Sequence, residues 1–136
     1  MTSSHRVTKL IDFCYGHRLL NYAGKCRFLH GHNGRIEVDL ESHELDTLGM
    51  VLDFSIVRDV IRTWVDDQLD HRMLLCRSDP IVPILQEQGE PLFLMDENPT
   101  AENIAKLIFR HGRTAGLPLV EIRLWESPGS CAAYRE

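Results

Sequence analysis

The chain has little of what marks a nucleic-acid-binding or membrane protein. Its 136 residues include 15 Lys and Arg against 20 Asp and Glu, a formal net charge of −5, whereas phosphate backbones are bound by clustered cations. No apolar run reaches the length of a membrane span, and Met1–Arg6 lacks the apolar stretch of a signal peptide. We therefore expect neither nucleic acid nor a membrane as a partner, and a cytoplasmic location.

Repeats, low-complexity segments and linkers are also missing. A chain of 136 residues is typically one domain, large enough for a core that needs neither a disulfide nor a metal as a staple. Cysteines are few, and in a protein that is not exported they are expected to be free thiols. They are Cys14, Cys26, Cys76 and Cys131. We expect residues 1–136 to form a single domain.

Alternating residues predict β-strands near both ends of the chain. Gly34–Glu41 alternates apolar and polar residues, which indicates a strand with one buried and one wet face. Arg6–Phe13 is predicted as a strand before it. Leu119–Glu126 and Ser130–Tyr134 are predicted as two more near the end of the chain. Met50–Phe54 is predicted as a short extended piece.

Helical spacing predicts two helices between these strands. Ser55 is the expected N-cap of the first helix, and Thr100 that of the second, which Gly116 ends. Residues 72–97 are expected to be irregular, apart from a helical turn before Gly89. The order ββααββ predicts an α+β domain, with a four-stranded antiparallel sheet covered on one face by two helices. The exposed edges of such a sheet predict pairing between copies of the chain.

Three histidines are the candidate metal ligands. His30 and His32 share the apolar face of the second strand if that strand begins at His30. Imidazoles on such a face need partners, and a divalent metal ion is one. His17 follows the first strand, and antiparallel pairing would bring it near the other two. Three histidines with an open fourth position are typical of catalytic zinc; a chance pair and a loop histidine are the alternatives.

Cys26 is the candidate reactive thiol. It lies between Lys25 and Arg27, four residues before His30. Neighbouring cations and a nearby metal ion favour the thiolate form, which is the nucleophilic and basic one. The same residue could instead be an inert core cysteine or a fourth ligand of a closed structural metal site.

Two further positions carry carboxylates that could take part in chemistry. Asp70 and His71 follow the first helix, and a carboxylate that orients an imidazole is usual in acid–base catalysis. Because adjacent residues do not readily hydrogen-bond to each other, we expect each of them to act separately. Glu126 continues the parity of Val120, Ile122 and Leu124. Its carboxylate either ends the strand at the rim of the sheet or binds a ligand with paired N–H donors.

Six stretches of the chain together resemble the 6-pyruvoyl/6-carboxytetrahydropterin synthase family, in that family's order and over nearly the whole length. They are Phe13–Leu19, Lys25–Asn33, Val51–Phe54, Leu69–His71, Asn98–Asn103 and Trp125–Pro128. The resemblance implies the tunnelling fold, in which ββααββ subunits close into an oligomeric barrel as trimers or dimers of trimers. Residues Cys14–Gly16 depart from the small residues common in the family, and Ser127 stands where Thr is common.

The resemblance also implies roles for the candidate residues. Zinc (Zn²⁺) would be bound by the three histidines, and Glu126 would anchor the pterin substrate. The catalytic residues would be Cys26 as base, with Asp70 and His71 assisting proton transfer. In this family the site lies between subunits, so Cys26 and the Asp70–His71 pair would meet across an interface.

The spacing between Cys26 and His30 favours one branch of the family. Three residues separate them, which is similar to the bacterial 6-carboxytetrahydropterin synthases of the queuosine pathway; the 6-pyruvoyl synthases usually have a longer spacing. The implied reaction converts 7,8-dihydroneopterin triphosphate to 6-carboxy-5,6,7,8-tetrahydropterin, acetaldehyde and triphosphate. The alternatives are a 6-pyruvoyl synthase, which stops before carbon–carbon cleavage, a non-catalytic metal- or pterin-binding protein, and a structural zinc module.

Overall fold

The computed structural model describes residues 3–136 and has an α+β fold; Met1 and Thr2, part of the stretch considered for a signal peptide, lie outside it. The elements are β1 (His5–His17), β2 (His30–Ser42), α1 (Phe54–Val57), a π-helical turn (Arg58–Arg62), α2 (Thr63–Gln68), β3 (Arg72–Cys76), α3 (Val82–Glu87), β4 (Leu92–Met95), α4 (Ala101–Thr114), β5 (Leu119–Ser127) and β6 (Ser130–Tyr134). In this part of the chain, no helix has both the length and the apolar character needed to cross a membrane.

The strands form one sheet with the order β4-β3-β1-β2-β5-β6. Its centre is the antiparallel ladder of β1 and β2, which runs from the pair His5↔Ser42 to the pair His17↔His30. Strand β5 pairs antiparallel with β2, and β6 pairs antiparallel with β5. These four strands are the ones that the alternation of the sequence predicts.

The prediction of a four-stranded, purely antiparallel sheet is wrong at the other edge. Strand β3 pairs parallel with β1 over Tyr15–His17, and β4 pairs parallel with β3. Residues 72–97 are therefore not irregular, although the expected helical turn before Gly89 is present as α3. Strands β3 and β4 are short apolar runs without alternation, and such runs show no period that distinguishes a strand from other buried segments.

The strand boundaries also differ from the predicted ones. Strand β1 continues beyond Phe13 to His17, and β2 begins at His30 rather than Gly34. In β5 a β-bulge places Leu119 opposite Leu40 and makes Val120 the extra residue. Val120 therefore does not share the face of Ile122 and Leu124, and Leu119 takes its place in the core.

The first helix begins two residues earlier than predicted. Asp53, not Ser55, is its N-cap, because the Asp53 carboxylate accepts a hydrogen bond of 2.8 Å from the Ser55 amide. Met50–Phe54 is consequently not an extended piece, since Phe54 already belongs to α1. At the second long helix the predicted cap is confirmed: Thr100 Oγ1 accepts from the Asn103 amide at 3.1 Å.

The helix continues from α1 to α2 through the π-helical turn, which alters its hydrogen bonding. In this turn the Val60 carbonyl accepts a hydrogen bond from His111 Nε2 at 3.1 Å. The His111 ring also stacks on Trp64, with ring centroids 4.4 Å apart. His111 therefore joins α4 to the first helix, and its Nε2 has the Val60 carbonyl as its hydrogen-bond partner.

One face of the sheet packs against the helices and forms the core. It carries fully buried aliphatic side chains from three strands, and the helices contribute others to the same cluster. They include Ile11, Ile36, Val38, Leu40, Ile122 and Leu124 from the strands, and Ile61, Val65, Ile104 and Ile108 from the helices. At the His17↔His30 end of the ladder, this face carries polar side chains instead.

The opposite face of the sheet is polar and is stabilised by pairs of side chains across neighbouring strands. Four such contacts join β1 to β2 or lie along β5. They are Thr8 with Asp39 at 2.6 Å, Arg35 with Asp12 at 2.8 Å, Arg6 with Glu41 at 3.1 Å, and Arg123 with Glu121 at 2.8 Å.

Candidate metal centre and active site

The end of the β1–β2 ladder brings His17, His30 and His32 together as a histidine cluster. His17 and His30 are cross-strand partners, and His32 lies two residues further along the same face of β2. One potential ligand atom from each of the three lies within 4.8 Å of those of the others. The group could therefore hold a metal ion.

The hydrogen bonds of two of these rings free their other nitrogen for a metal. His17 Nδ1 donates to the Pro99 carbonyl at 2.6 Å, and His30 Nδ1 donates to the Phe28 carbonyl at 2.7 Å. With the proton held on Nδ1, the lone pair of Nε2 is available as a ligand.

Two of the cluster's nitrogens are buried without a partner. Among the described residues, Nε2 of His17 and Nε2 of His32 have no hydrogen-bond partner. Leaving a buried polar atom unpaired costs about 1–3 kcal/mol. Two such atoms in one cluster fit a metal site better than they fit packing.

Burial favours the neutral form of His17, which is the form that binds metals. Desolvation lowers its pKa, against the opposing effect of the hydrogen bond to the Pro99 carbonyl. The neighbouring imidazoles of His30 and His32 act in the same direction as burial. The His17 ring is therefore in the neutral form that can bind a metal ion, not in the cationic form.

Glu126 lies at the open side of the histidine cluster. Its two carboxylate oxygens are 4.0 Å from His17 Nε2 and 3.9 Å from His32 Nε2. Its side chain is 28% exposed, whereas that of His17 is 3% exposed. Glu126 therefore connects the buried histidines to the solvent side of the site.

Cys26 lies beside this group in a single turn of 3-10 helix, Lys25–Arg27, which buries none of its residues. With His17, Tyr22 and Glu126 it lines a cavity of about 540 Å³. A half-exposed free thiol in a cavity wall is not the inert core cysteine that was one alternative. Among the described residues, the set of clustered ligand atoms contains the three histidines without Cys26.

Asp70 and His71 form a hydrogen-bonded pair, contrary to the expectation that neighbours act separately. His71 Nδ1 donates to the Asp70 carboxylate at 2.7 Å. The backbone makes this possible because His71 has a φ of 58°, in the left-handed region. Both residues are held by Cys14, whose amide donates to Asp70 at 2.8 Å and whose carbonyl accepts from the His71 amide at 2.6 Å.

The Asp70 carboxylate is held in its ionised form. Burial raises its pKa, but the hydrogen bonds from the Cys14 amide and the His71 ring outweigh this effect, so that the pKa lies below the usual value. An ionised Asp70 accepts the hydrogen bond from His71 Nδ1 and so orients the His71 ring. The pair has the geometry of a general acid–base unit.

Within one chain the Asp70–His71 pair does not meet Cys26. The pair lines a different cavity, of about 840 Å³, together with Arg62 and Trp125. Trp125 and Glu126 are consecutive in β5 and so line the two different cavities.

Sequence reasoning missed the groups that hold the cluster in place. The Pro99 carbonyl reaches His17 across 82 positions of sequence. Asn98 fixes this loop, because its side chain accepts from the Leu20 amide at 2.9 Å and donates to the Leu20 carbonyl at 3.1 Å. The family resemblance includes the stretch Asn98–Asn103, which indicated that this loop matters. It did not indicate the contact itself, because every residue has a backbone carbonyl.

Arg18, the residue that follows β1, is paired with a buried carboxylate. It donates two hydrogen bonds to the carboxylate of Asp79, one of them 2.8 Å long. The Asp79 side chain is fully buried, and that of Arg18 is 22% exposed. The hydrogen bonds from Arg18 lower the pKa of Asp79. The ion pair joins the loop after β1 to the segment before α3.

Comparisons with known proteins agree with the fold. The family model described as 6-pyruvoyl tetrahydropterin synthase matches residues 6–136. The chain belongs to this family. A Rickettsia felis protein named 6-carboxy-5,6,7,8-tetrahydropterin synthase is 39% identical over 102 residues, 74% of each chain. A protein of the same name from Haemophilus influenzae is 33% identical over 140 residues, covering 96% of this chain and 99% of its own.

Solved structures show the same fold. A Wolinella succinogenes protein described as uncharacterized has a TM-score of 0.81 and 26% identity, covering 98% of this chain and 99% of its own. Caenorhabditis elegans 6-pyruvoyl tetrahydropterin synthase has a TM-score of 0.74 and 24% identity, covering 99% and 97%. The resemblance seen in the sequence is therefore confirmed at the level of family and of subunit fold.

Proposed function

We propose that this chain converts 7,8-dihydroneopterin triphosphate to 6-carboxy-5,6,7,8-tetrahydropterin, with release of acetaldehyde and triphosphate. One water molecule is consumed, and the ring gains the electrons that the side chain loses, so no redox cofactor is needed. The names of the Rickettsia felis and Haemophilus influenzae relatives support this activity. The histidine cluster, with Cys26 in the wall of the adjoining cavity, is the observation that carries it.

The histidine cluster is the proposed zinc site, with His17, His30 and His32 as ligands. The unpaired Nε2 atoms of His17 and His32 fit such an ion, and three imidazoles leave a position open for substrate. Zinc bound there would act as a Lewis acid toward the hydroxyls of the substrate side chain. The carbonyls of Phe28 and Pro99 keep the rings of His30 and His17 oriented.

The other residues have proposed roles in binding and proton transfer. Glu126 accepts hydrogen bonds from the pterin N3–H and 2-amino group, because an ionised carboxylate matches such a pair of donors. Cys26 removes a proton from the substrate side chain as thiolate. The Asp70–His71 pair delivers or accepts protons as one unit, since the two side chains are hydrogen-bonded.

The separate cavities support completion of the site by a second copy. Asp70 and His71 of one copy would meet Cys26 of another, as the resemblance implies. The free flank of β1, which pairs with β3 only over Tyr15–His17, and the outer edge of β6 are the strands that copies can join. We propose a single-domain subunit of trimers or dimers of trimers, acting in the cytoplasm in the queuosine pathway.

The test is an assay of the zinc-loaded chain with 7,8-dihydroneopterin triphosphate, in which acetaldehyde, triphosphate and bound zinc are measured together. We expect one acetaldehyde per triphosphate released. Cys26→Ala should retain zinc and lose most activity, at least 100-fold for a group engaged in proton transfer. Cys76→Ala is the matched control, because Cys76 lies in β3, where its Sγ contacts Ser78 and the Asp96 carbonyl.

Each alternative gives a different result in this assay. Triphosphate release without acetaldehyde identifies a 6-pyruvoyl synthase, and zinc binding without turnover identifies a non-catalytic binding protein. If Cys26→Ala loses zinc and chelation unfolds the chain, the metal is structural and Cys26 is its ligand.

A further inference from the structure

Tyr15 places a hydroxyl beneath the histidine cluster that none of the proposed roles uses. The residue is 1% exposed and lies on β1 directly opposite His32. Its ring centroid is 5.2 Å from that of His17 and 5.6 Å from that of His32. It is also part of the stretch Cys14–Gly16, where this sequence departs from the small residues common in the family.

The Tyr15 hydroxyl is buried without a hydrogen-bond partner among the described residues. Such an unpaired group costs about 1–3 kcal/mol, which phenylalanine would avoid. The ring itself is well held, because it stacks on Phe13 with centroids 4.9 Å apart. The hydroxyl, rather than the ring, is therefore the feature that needs an explanation.

The ring of Tyr15 leans across β2 toward Glu126. A Cβ placed on Gly34 would be 3.0 Å from a ring atom of Tyr15, so the ring lies over this glycine. The ladder of β2 with β5 ends at the pair Arg35↔Trp125, and Gly34 and Glu126 are the next residues along. Consistent with this, burial first and the Glu126 carboxylate second raise the pKa of the phenol.

Glu126 has two possible partners that exclude each other. Its oxygens are within 4.0 Å of two ligand nitrogens, close enough to compete for the fourth position on a metal ion. A carboxylate added to three imidazoles would close that position, whereas a catalytic zinc site keeps it open. Glu126 also could not accept the hydrogen bonds of a pterin while it is bound to the metal.

We propose that, once a metal ion is bound, the Glu126 carboxylate turns to accept a hydrogen bond from the Tyr15 hydroxyl, which holds the carboxylate off the metal and leaves it free to accept from the pterin. This inference rests on the proposed function for the identity of the ligand. Tyr15 is then a positioning residue that acts through Glu126. A charge-assisted bond of this kind is stronger than a neutral one.

The test uses the full chain loaded with Co²⁺, whose visible absorption reports the number and kind of its ligands. The unaltered chain and Glu126→Gln should give the same spectrum, because the carboxylate is not a ligand. Tyr15→Phe should give a different spectrum and bind the metal roughly tenfold more tightly in chelator competition, because a ligand is gained. The double variant Tyr15→Phe/Glu126→Gln should return to the unaltered spectrum.

The second measurement is neopterin affinity, followed by the quenching of pterin fluorescence. Tyr15→Phe should weaken binding about tenfold but cause no further loss in the Glu126→Gln background. Tyr134→Phe is the matched control, because it also removes a hydroxyl that donates to a carboxylate, at 2.7 Å to Glu136, outside the site. Thermal unfolding should show that Tyr15→Phe is as stable as the unaltered chain or more stable.

Three results would overturn the inference. They are an unchanged cobalt spectrum in Tyr15→Phe, a spectral change in Glu126→Gln alone, and an effect of Tyr15→Phe that persists without the Glu126 carboxylate. The cobalt measurement does not depend on turnover. If acetaldehyde is not formed but the cobalt pattern holds, only the proposed function fails.

Discussion

The middle and one end of the β1–β2 ladder use the same face of the same strands for different purposes. In the middle Ile11 and Ile36 are cross-strand partners, 1% and 0% exposed, and belong to the core. At the end the corresponding partners are His17 and His30. The backbone pairing is antiparallel in both places, so it decides which side chains meet. The type of side chain then decides whether the meeting point is packing or a metal site.

The largest effect is expected in the core half of the ladder. Ile36→Ala leaves a cavity in a fully buried position and should lower the free energy of unfolding by about 3–4 kcal/mol. Urea unfolding of the metal-free chain measures this loss. The zinc content of the molecules that remain folded should not change. If the zinc content falls in step with stability, the packed part of the ladder and the histidine cluster form one cooperative unit. That result would contradict their separate roles.

The next effect should appear only in the metal half. His17→Ala should weaken zinc binding by at least about 100-fold, because it removes a proposed ligand. Chelator competition measures the change. The stability of the metal-free chain should fall by about 1 kcal/mol, through the Pro99 carbonyl that loses its donor. His43→Ala is the control, since among the described residues the His43 ring hydrogen-bonds to the exposed Ser3 carbonyl, away from the cluster; equal zinc affinity in both variants would contradict the assignment.

The smallest effect is expected at the boundary between the two halves. A Cβ on Gly34 would lie 3.0 Å from ring atoms of both Phe13 and Tyr15. Gly34→Ala should therefore cost about 1–2 kcal/mol by forcing the rings to shift. Gly129→Ala, where a Cβ meets nothing within 4 Å, should stay within about 0.5 kcal/mol. Calorimetric unfolding compares the two, and equal values would show that the rings yield without strain.

Alternation predicted much of the ladder and the shared face of His30 and His32, whereas His17 depended on the family resemblance. Gly34–Glu41 shows the period of two, and extending it back to His30 places both histidines on the core face. The same parity, counted from Ile122 and Leu124, led to Glu126. These predictions hold because a strand has one period and only two faces, so a few residues fix the direction of the others.

The rest could not be predicted because it depends on contacts without a local pattern. Strands β3 and β4 are apolar on both faces and have no period. The left-handed backbone of His71 turns the side chains of Asp70 and His71 toward each other. The sequence Asp-His does not predict this backbone conformation. The partner of His17 is a carbonyl of Pro99, and every residue has such a group. The unpaired hydroxyl of Tyr15 becomes visible only once its neighbours are placed.

The polar face of the sheet has a consequence for how far assembly can proceed. Its charges are compensated by side chains on the same or the next strand, as in the contact of Arg35 with Asp12 and that of Arg123 with Glu121. Such a surface is well solvated and offers another chain little apolar area, of which Leu10, 48% exposed, is part. In a closed ring of copies it would line a wet bore, and growth would stop at ring closure instead of continuing through the interior.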